Sequence, residues 1–397
     1  MKELQNILRA AENNLGRDAV LATLVKTEGS SYRRVGARLY WRPDEPRIGS
    51  ISGGCLEEDL LLKAKTVYET GKPQVVVYDT TDENDLVWGV GLGCHGIVHL
   101  TLERVSGVPL HFAELKSLWR ARQAAVLATA FGDEASSVAR AVGLYSESGT
   151  IFSEALQGVE TLVAAPEVAA NDNTATNEVS PRLAIGGGGN SQFSPESLAK
   201  RTLEAQANQY ASTTIGAERV QVLFEYLPPP FCLNIFGAGD DAQPLCRVAK
   251  ELGWIVRVFD PRPAFATQER FPSADEVVLY RTEFPDVSSI DRWSAAVVMT
   301  HHYRYDVPLL SAVLRSRAPY VGLLGPKKRA EKILGDLEAQ GLTIDAAMRA
   351  RLRAPVGLDL GSTSPEQVAL SIIAEIEASL NKRDGRPLRE RTRPIHG

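Results

Sequence analysis

The sequence predicts an α/β protein in which a mixed α+β N-terminal domain precedes a Rossmann-like domain with a doubly wound parallel sheet. Three observations support this prediction. A strand, a glycine turn, a helix and a strand follow one another over residues 231–260, and three further apolar runs continue the pattern, with helices after the last two. The first 165 residues instead contain many short strands and few helices. Alternating strands and helices are typical of parallel sheets.

Composition and charge exclude several classes of function. The 397 residues are 44% hydrophobic and 23% charged, which is enough for two or three domains with their own cores. The net charge of −5 gives no general attraction to nucleic acid or to anionic membranes. No apolar run approaches the ~20 residues of a membrane span, and the N-terminal segment lacks secretory features. We therefore expect a cytoplasmic protein that binds neither nucleic acid nor membrane.

The predicted N-terminal domain, residues 1–165, begins with an amphipathic helix. A buried strand and a hairpin then lead to a glycine-rich segment, after which acids in a first turn and Gly71 as a stop mark a second helix. Strands are predicted at residues 19–25, within 27–41, at 74–80 and at 97–105.

Two of the four cysteines lie beside glycines. The four are too few and too scattered for a disulfide framework or a CxxC zinc site. Cys55 follows Ser52-Gly53-Gly54 and precedes the second helix, where the helix dipole lowers a thiol pKa and favours the thiolate. Such a thiolate is able to ligate a soft metal or accept sulfur. Cys94 lies between Gly93 and His95-Gly96 at the start of a strand. For each, a buried structural cysteine is the alternative.

Residues 125–145 repeat residues 19–40. An offset of 106 aligns identical residues, among them Ala19 with Ala125 and Thr23 with Thr129. We predict a duplicated β-rich unit in which only the first copy carries the glycines and the cysteine. Chance similarity between two apolar strands is the alternative.

The remaining boundaries follow from composition. Residues 166–215 are rich in glycine and small polar residues, which predicts a flexible insertion or linker. Residues 216–381 form the predicted Rossmann-like domain, and its last helix begins with Ser364-Pro365 and a capping-box Gln367. The basic tail, residues 382–397, is predicted to be mobile.

The glycine turn of the Rossmann-like domain has the residues of a dinucleotide site. Gly237 permits a tight turn, Gly239 lets a phosphate approach the backbone, and Asp260 stands 21 positions later, where a ribose hydroxyl is bound. An NAD(P)-dependent oxidoreductase is therefore an alternative function. Asp240 and Asp241 oppose it, because they place two carboxylates at the helix N-terminus, where a phosphate binds. They also suit a simple helix cap.

A second group of polar residues is predicted at the switch point of the sheet. With a strand order of 3-2-1-4-5, strands 1 and 4 end beside each other, and ligands bind there. Strand 4 runs into His301 and His302, which are expected in the same crevice as the three aspartates. Cations at residues 325–329 follow strand 5 and suit a phosphate, although a solvated basic turn is the alternative.

Taken as an ordered set, these motifs resemble the xanthine dehydrogenase accessory protein family (XdhC/CoxI). The resemblance rests on SISGGCLE at 50–57, a glycine-framed cysteine near 94, GAGDDAQPLCRVAKELGW at 237–254, the TH-x-x-x-x-D segment ending at Asp306, and PVGLDLGSTSPEQVAL at 355–370. It covers nearly the whole chain except the 166–215 segment and the basic tail.

The resemblance implies a chaperone of the molybdenum cofactor, molybdopterin. Such a protein binds the cofactor, protects it during sulfuration with a cysteine desulfurase, and inserts it into an apo molybdenum hydroxylase of the xanthine dehydrogenase type. It also implies a homodimer and no substrate turnover, whereas a scaffold that binds no small molecule remains an alternative. The candidate cofactor-binding residues are Ser52, Gly53, Gly54, Cys55, Glu57, Cys94, Gly237, Gly239, Asp240, Asp241, Asp260, His301 and His302, with Cys55 also a candidate molybdenum ligand.

Overall fold

The computed structural model of the protein describes residues 2–13, 16–81, 96–134, 136, 138–153, 162–164, 192–215, 218–281 and 284–392. The chain divides into two compact units, Glu3–Pro229 and Pro230–His396. The division lies at the proline run 228–230, later than the predicted domain boundary at residue 216.

The described part of the first unit opens with a five-stranded antiparallel sheet in the order β3-β2-β1-β5-β4. The helix that follows its hairpin packs its apolar face on this sheet, through Leu60, Ala64 and Val67. The elements are α1 (Lys2–Asn13), β1 (Asp18–Gly29), β2 (Arg38–Trp41), β3 (Ile48–Gly49), α2 (Glu57–Thr70), β4 (Gln74–Asp79) and β5 (Gly96–Ser106).

The second sheet of this unit has seven strands among the described residues, in the order β10-β9-β11-β12-β6-β7-β8. Its elements are α3 (Leu110–Arg120), β6 (Ala125–Phe131), β7 (Ala139–Ser146), β8 (Gly149–Ser153), β9 (Leu162–Ala164), β10 (Gln192–Phe193), α4 (Pro195–Ala205), β11 (Gln209–Ile215) and β12 (Glu218–Leu227).

Residues 192–215, assigned from sequence to a flexible insertion, instead form β10, α4 and β11. The strand β11 pairs with β12 along its whole length, so this segment belongs to the sheet of the first unit. Polar composition hid the elements, but Ser194 caps α4 and Pro195 begins it, which is a helix start that the sequence does encode.

The two sheets share one strand order. The run β2-β1-β5-β4 of the first matches β7-β6-β12-β11 of the second, and α2 and α4 occupy the same place in chain order. The faces to which successive side chains point also match between the two sheets. Val20 and Ala22 face α2 and Val126 and Ala128 face α4, whereas Leu21 and Leu127 meet in one core between the sheets. A duplicated unit would produce this arrangement, and the duplication itself stays a prediction. Burial on both faces explains the continuous apolar runs.

The second unit contains a six-stranded parallel sheet among its described residues, in the order β15-β14-β13-β16-β17-β18. The predicted α/β fold with a Rossmann-like domain is confirmed, and the capping box of Ser364 and Gln367 is present. Its elements are β13 (Cys232–Phe236), α5 (Ala242–Glu251), β14 (Ile255–Asp260), β15 (Glu276–Leu279), β16 (Ser294–Val298), α6 (Tyr303–Arg315), β17 (Tyr320–Leu323), α7 (Lys327–Ala339), α8 (Ala346–Arg351), β18 (Leu352–Arg353), α9 (Pro365–Leu380) and a short 3-10 helix (Leu388–Glu390).

Helices cover both faces of this parallel sheet. One core packs α5 and α9 against the sheet, and the other packs α6 and α7 against the opposite face. Cys246 lies in the first core and is buried, and so is Cys232. In the described part of the chain, no helix combines the length and the apolar character that a bilayer crossing requires.

Candidate functional site

The glycine-cysteine segment forms a tight loop immediately before α2. Gly53 has a φ of +86° and Gly54 a φ of +131°, conformations that residues with a Cβ rarely adopt. Gly53 also lies against the ring of Tyr32, since a Cβ at Gly53 would come within 2.8 Å of the Tyr32 Cε1 atom. The two glycines are therefore required by backbone conformation and by a close aromatic contact.

The Glu57 carboxylate holds this loop from beneath. Glu57 is 2% exposed and accepts backbone N–H groups from Ile51 at 3.0 Å, Ser52 at 3.0 Å and Gly54 at 2.9 Å. The hydroxyls of Ser50, at 2.7 Å, and of Ser52 also donate to it. Burial alone would raise the pKa of Glu57, but these hydrogen bonds outweigh it and lower the pKa to about 2. The structure thus gives Glu57 the role of ordering the loop, and its contact with a cofactor stays a prediction.

Cys55 is exposed at the top of this loop, two residues before α2 begins. Its Sγ lies 3.8 Å from the carbonyl oxygen of Ser52. The thiol lines a pocket of about 370 Å³ of empty space, open mouth included, together with Ser30, Ser31, Tyr32, Ile51, Ser52, Leu56, Thr80, Gly96 and Val98. Cys94, the other candidate cysteine, lies outside the described residues.

The described lining of the Cys55 pocket is neutral. Its polar groups include the hydroxyls of Ser31 and Thr80, which donate to the carbonyl oxygens of Arg33 at 2.9 Å and of Gly96 at 2.7 Å. Its aromatic ring is that of Tyr32, which is 63% exposed. An exposed thiol beside neutral groups suits a soft metal or sulfur, which prefers thiolate ligands, rather than a phosphate. Sequence reasoning missed the residues that come from the turn after β1, although their Ser-Ser-Tyr sequence follows a strand of the repeat.

The Rossmann turn is shaped as predicted, but its acid is not open to a ligand. Gly237 has a φ of +119°, and a Cβ there would lie 2.5 Å from the carbonyl oxygen of Met299. Asp260 is 1% exposed and accepts the Ala238 N–H at 2.7 Å. Arg262 donates three further hydrogen bonds to the same carboxylate, from its N–H at 2.8 Å, Nε at 2.9 Å and Nη2 at 2.7 Å. Burial raises the pKa of Asp260, but these bonds outweigh it, so the pKa is lowered overall.

The two acids at the start of α5 each bind a basic side chain instead of capping the helix. Asp240 pairs with Arg270 at 2.7 Å, and Asp241 pairs with the Nε2 of His301 at 2.6 Å. Asp241 occupies the N-cap position without a side-chain cap hydrogen bond. The simple capping interpretation of these acids is therefore wrong.

His301 and His302 are both exposed after β16, but they do different things. His301 has a φ of +56° and reaches across the switch point to Asp241, whose hydrogen bond raises its pKa against the opposing effect of burial. His302 instead packs on the ring of Tyr305, with 4.8 Å between centroids. The structure brings the first histidine, but not the second, into contact with a predicted acid.

The end of β16 is fixed by a buried acid. Asp306 is 1% exposed, accepts the Thr300 hydroxyl at 2.5 Å and forms an ion pair with Arg329. Arg329 therefore has a structural role, as the partner of Asp306. Across the described residues, no three side chains of His, Cys, Asp or Glu cluster closely enough to hold a metal ion. Cys55 as a molybdenum ligand stays a prediction.

Comparison with known proteins matches both units. Residues 233–376 match the model of the XdhC Rossmann domain, and residues 14–79 match the model of the XdhC and CoxI family. A probable xanthine dehydrogenase subunit from Bacillus subtilis is 29% identical over 364 residues, covering 90% of this chain and 92% of that protein. The molybdenum cofactor insertion chaperone PaoD of Escherichia coli is 22% identical over 374 residues, covering 94% and 87%.

A solved structure also matches. The crystal structure of a xanthine dehydrogenase from Bacillus halodurans superposes with a TM-score of 0.68 and 25% sequence identity, and the match covers 97% of each chain. The similarity therefore extends over both units and is not confined to a Rossmann fold.

Proposed function

The chain belongs to the XdhC and CoxI family, and on that premise we propose that it binds a molybdenum cofactor and inserts it into a molybdenum hydroxylase of the xanthine dehydrogenase type. The similarity to an insertion chaperone along 94% of the chain supports this function. The relatives whose names refer to xanthine dehydrogenase itself support the choice of client enzyme.

The observation that carries the proposal is the exposed thiol of Cys55 in a neutral pocket. A molybdenum cofactor supplies a soft metal with sulfur ligands, and a thiolate is the protein group that such a metal prefers. The chain's own contribution is positional. Glu57 holds the loop, the two glycines allow its bend, and Tyr32 offers a flat apolar surface beside the thiol.

We propose that the cofactor is protected on this protein while a cysteine desulfurase supplies its terminal sulfur. The exposed position of Cys55 supports this step, because a sulfur donor must reach the site from solvent. The protein acts without substrate turnover, in the cytoplasm, and as a homodimer. Light scattering of the purified chain tests the dimer, and co-purification with a desulfurase tests the partner.

The alternative function, an NAD(P)-dependent oxidoreductase, loses its main support at Asp260. In a dinucleotide site this acid accepts the ribose hydroxyls. Here Ala238 and Arg262 donate four hydrogen bonds to it, and it is 1% exposed. A ribose would have to displace a bidentate arginine to bind there.

The test is to replace Cys55 by alanine and purify the chain from a host supplied with molybdate. We expect metal analysis and pterin fluorescence to show loss of bound cofactor, and an apo xanthine dehydrogenase to remain inactive after incubation with the variant. Cys246→Ala is the matched control, since this thiol is buried in the core of the other unit. Equal cofactor retention by Cys55→Ala and the unchanged protein would contradict the proposal.

A further inference from the structure

The carboxyl edge of the parallel sheet carries hydrogen-bond donors that have no acceptor among the described residues. The acids at this edge are each paired, Asp240 with Arg270, Asp241 with His301, Asp260 with Arg262 and Asp306 with Arg329. What remains for a ligand at this edge is therefore positive charge and N–H or O–H groups. Such a surface attracts anions.

Tyr280 is the clearest of these groups. It follows β15, and its backbone N–H donates to the carbonyl oxygen of Asp260 at 3.4 Å. The side chain is 6% exposed, and its hydroxyl has no hydrogen-bond partner anywhere in the described ranges. A buried hydroxyl without a partner costs stability, so its presence calls for an explanation.

Arg262 provides a second donor near this hydroxyl. Both residues lie beside Asp260, since the Tyr280 N–H donates to its carbonyl oxygen and Arg262 binds its carboxylate. Burial raises the pKa of the Tyr280 hydroxyl. Arg262 is 42% exposed at its side chain and uses Nε and Nη2 on Asp260, while its Nη1 makes no hydrogen bond with the part of the chain described. Phe265 holds the guanidinium in place from one face, at 3.8 Å.

Further cations flank the same edge. Arg304 lies in the first turn of α6, and Lys327 and Lys328 begin α7. These helices follow β16 and β17, which are neighbours in the sheet. Within the described residues none of the three forms an ion pair. The first turn of α6 also contains Asp306, but the first turn of α7 has no acid, so Lys327 and Lys328 oppose the dipole of α7. A local conflict of this kind is expected where a ligand supplies the compensating charge.

We propose that this edge is an oxyanion site that takes a phosphate monoester, with Tyr280 and Arg262 as its contacts. The hydroxyl and the guanidinium both donate hydrogen bonds, and guanidinium pairs well with phosphate oxygens. The identification of the ligand as the phosphate of a pterin cofactor rests on the proposed function. The site differs from a dinucleotide site, because Asp260 has no free oxygen for a ribose and the Ala238 N–H is already donated.

The experiment titrates the full-length apo protein with inorganic phosphate and, separately, with NAD⁺, by calorimetry. We expect phosphate to bind and NAD⁺ to bind no better than phosphate. Tyr280→Phe removes one donor and should weaken phosphate binding about tenfold, which corresponds to one lost hydrogen bond to a charged group. Its melting temperature should stay equal or rise, because the hydroxyl that it removes has no partner among the described residues.

Tyr320→Phe is the matched control. Its hydroxyl donates to Glu375 at 2.6 Å, so this variant should melt at a lower temperature and bind phosphate as tightly as the unchanged protein. Unaltered phosphate affinity in Tyr280→Phe, a lower melting temperature for that variant, absence of phosphate binding, or tight NAD⁺ binding would each overturn the inference. The outcome is separable from that of Cys55→Ala, because phosphate binding to the apo protein does not involve the thiol.

Discussion

The Glu225 carboxylate accepts hydrogen bonds from both terminal nitrogens of Arg38, across the space between the two sheets of the first unit. Nη1 lies 3.0 Å from Oε1, and Nη2 contacts Oε2. The side chains are 2% and 6% exposed. The same Oε1 lies so close to Gly36 that a Cβ there would come within 2.3 Å of it. One buried ion pair and one glycine thus join β12 to the hairpin of the other sheet.

The strand register gives this glutamate a counterpart. Glu225 pairs with Leu127 in the second sheet and Glu103 pairs with Leu21 in the first, and these two leucines are equivalent in the repeat. The arginine has no such counterpart. Thr23 pairs with Arg38 in the first sheet, whereas the equivalent Thr129 pairs with Ala141 in the second.

Among the described residues, Glu103 forms no ion pair like that of Glu225 with Arg38. Burial raises the pKa of Glu103 to about 7, although a backbone hydrogen bond from Ala141 and the charges of Arg140 and Arg38 oppose the rise. The repeat thus places two glutamates at equivalent positions in different electrostatic surroundings.

Removing one partner of the buried Arg38–Glu225 pair should strongly destabilise the protein. Glu225→Ala leaves the Arg38 guanidinium buried without a counter-charge, so the free energy of unfolding should fall by about 3–5 kcal/mol. Denaturant unfolding measures it. Glu338→Ala, which breaks an exposed pair with Arg349, should cost less than about 1 kcal/mol. If the two variants lost the same free energy of unfolding, the buried pair would not be the stronger contribution to stability.

Glu103 should make stability depend on pH. Its folded pKa of about 7 lies above the ordinary 4.5, so its favourable contribution is complete below pH 4.5 and is lost as pH rises towards 7. The loss amounts to at most about 3 kcal/mol. Glu103→Gln should remove this dependence and stabilise the protein at pH 8. Urea unfolding between pH 5 and 8 measures it, and an unchanged pH profile in the variant would refute the role of this carboxyl.

Glu57 should act in the opposite direction. Its pKa of about 2 lies below the ordinary 4.5, so its contribution, about 3 kcal/mol, is present above pH 4.5 and is lost as pH falls towards 2. Glu57→Gln should lower the melting temperature at pH 7 and change the rate at which a thiol reagent labels Cys55. Glu58→Gln, at the exposed neighbouring position, is the control and should alter neither quantity. If Cys55 is labelled at the normal rate in Glu57→Gln, the hydrogen bonds of Glu57 to the loop do not control the reactivity of the thiol.

Two glycines of the Rossmann unit should respond in opposite ways to alanine. Gly237→Ala places a Cβ 2.5 Å from the Met299 oxygen at a φ of +119°, and should cost at least about 2 kcal/mol. Gly335 lies inside α7 with open space around it, so Gly335→Ala should stabilise the protein by about 0.5–1 kcal/mol. Thermal unfolding of both variants checks the signs. If Gly237→Ala stabilised the protein, the close approach of residue 237 to the Met299 carbonyl oxygen would be refuted.

Much of the fold follows from local rules that a sequence displays. The strand order of the Rossmann unit follows from the doubly wound pattern of strands and helices, and it is confirmed. The capping box of Ser364 and Gln367 follows from a helix-start pattern and is confirmed too. The same pattern, serine then proline then glutamate, begins α4 at Ser194. The residues around Ser194 are polar, so composition there favours a loop although the local pattern encodes a helix start.

The candidate site was less predictable, because spacing does not reveal which way an acid points. Asp260 stands at the distance expected of a ribose-binding acid, yet it binds Arg262, two positions away. Glu57 follows Cys55 closely in sequence, yet its carboxylate lies beneath the loop. Tyr280 is far from the glycine turn in sequence, and only the parallel pairing of β14 and β15 brings it to the same edge.

In both glycine turns, amides of the bend already donate to a carboxylate of the chain itself, that of Glu57 in one and that of Asp260 in the other. Each bend is therefore held by a carboxylate of the chain itself. Under the proposed function, the release of a cofactor to a client would require no refolding of either turn, and the emptied protein would keep the shape that it needs for the next cofactor.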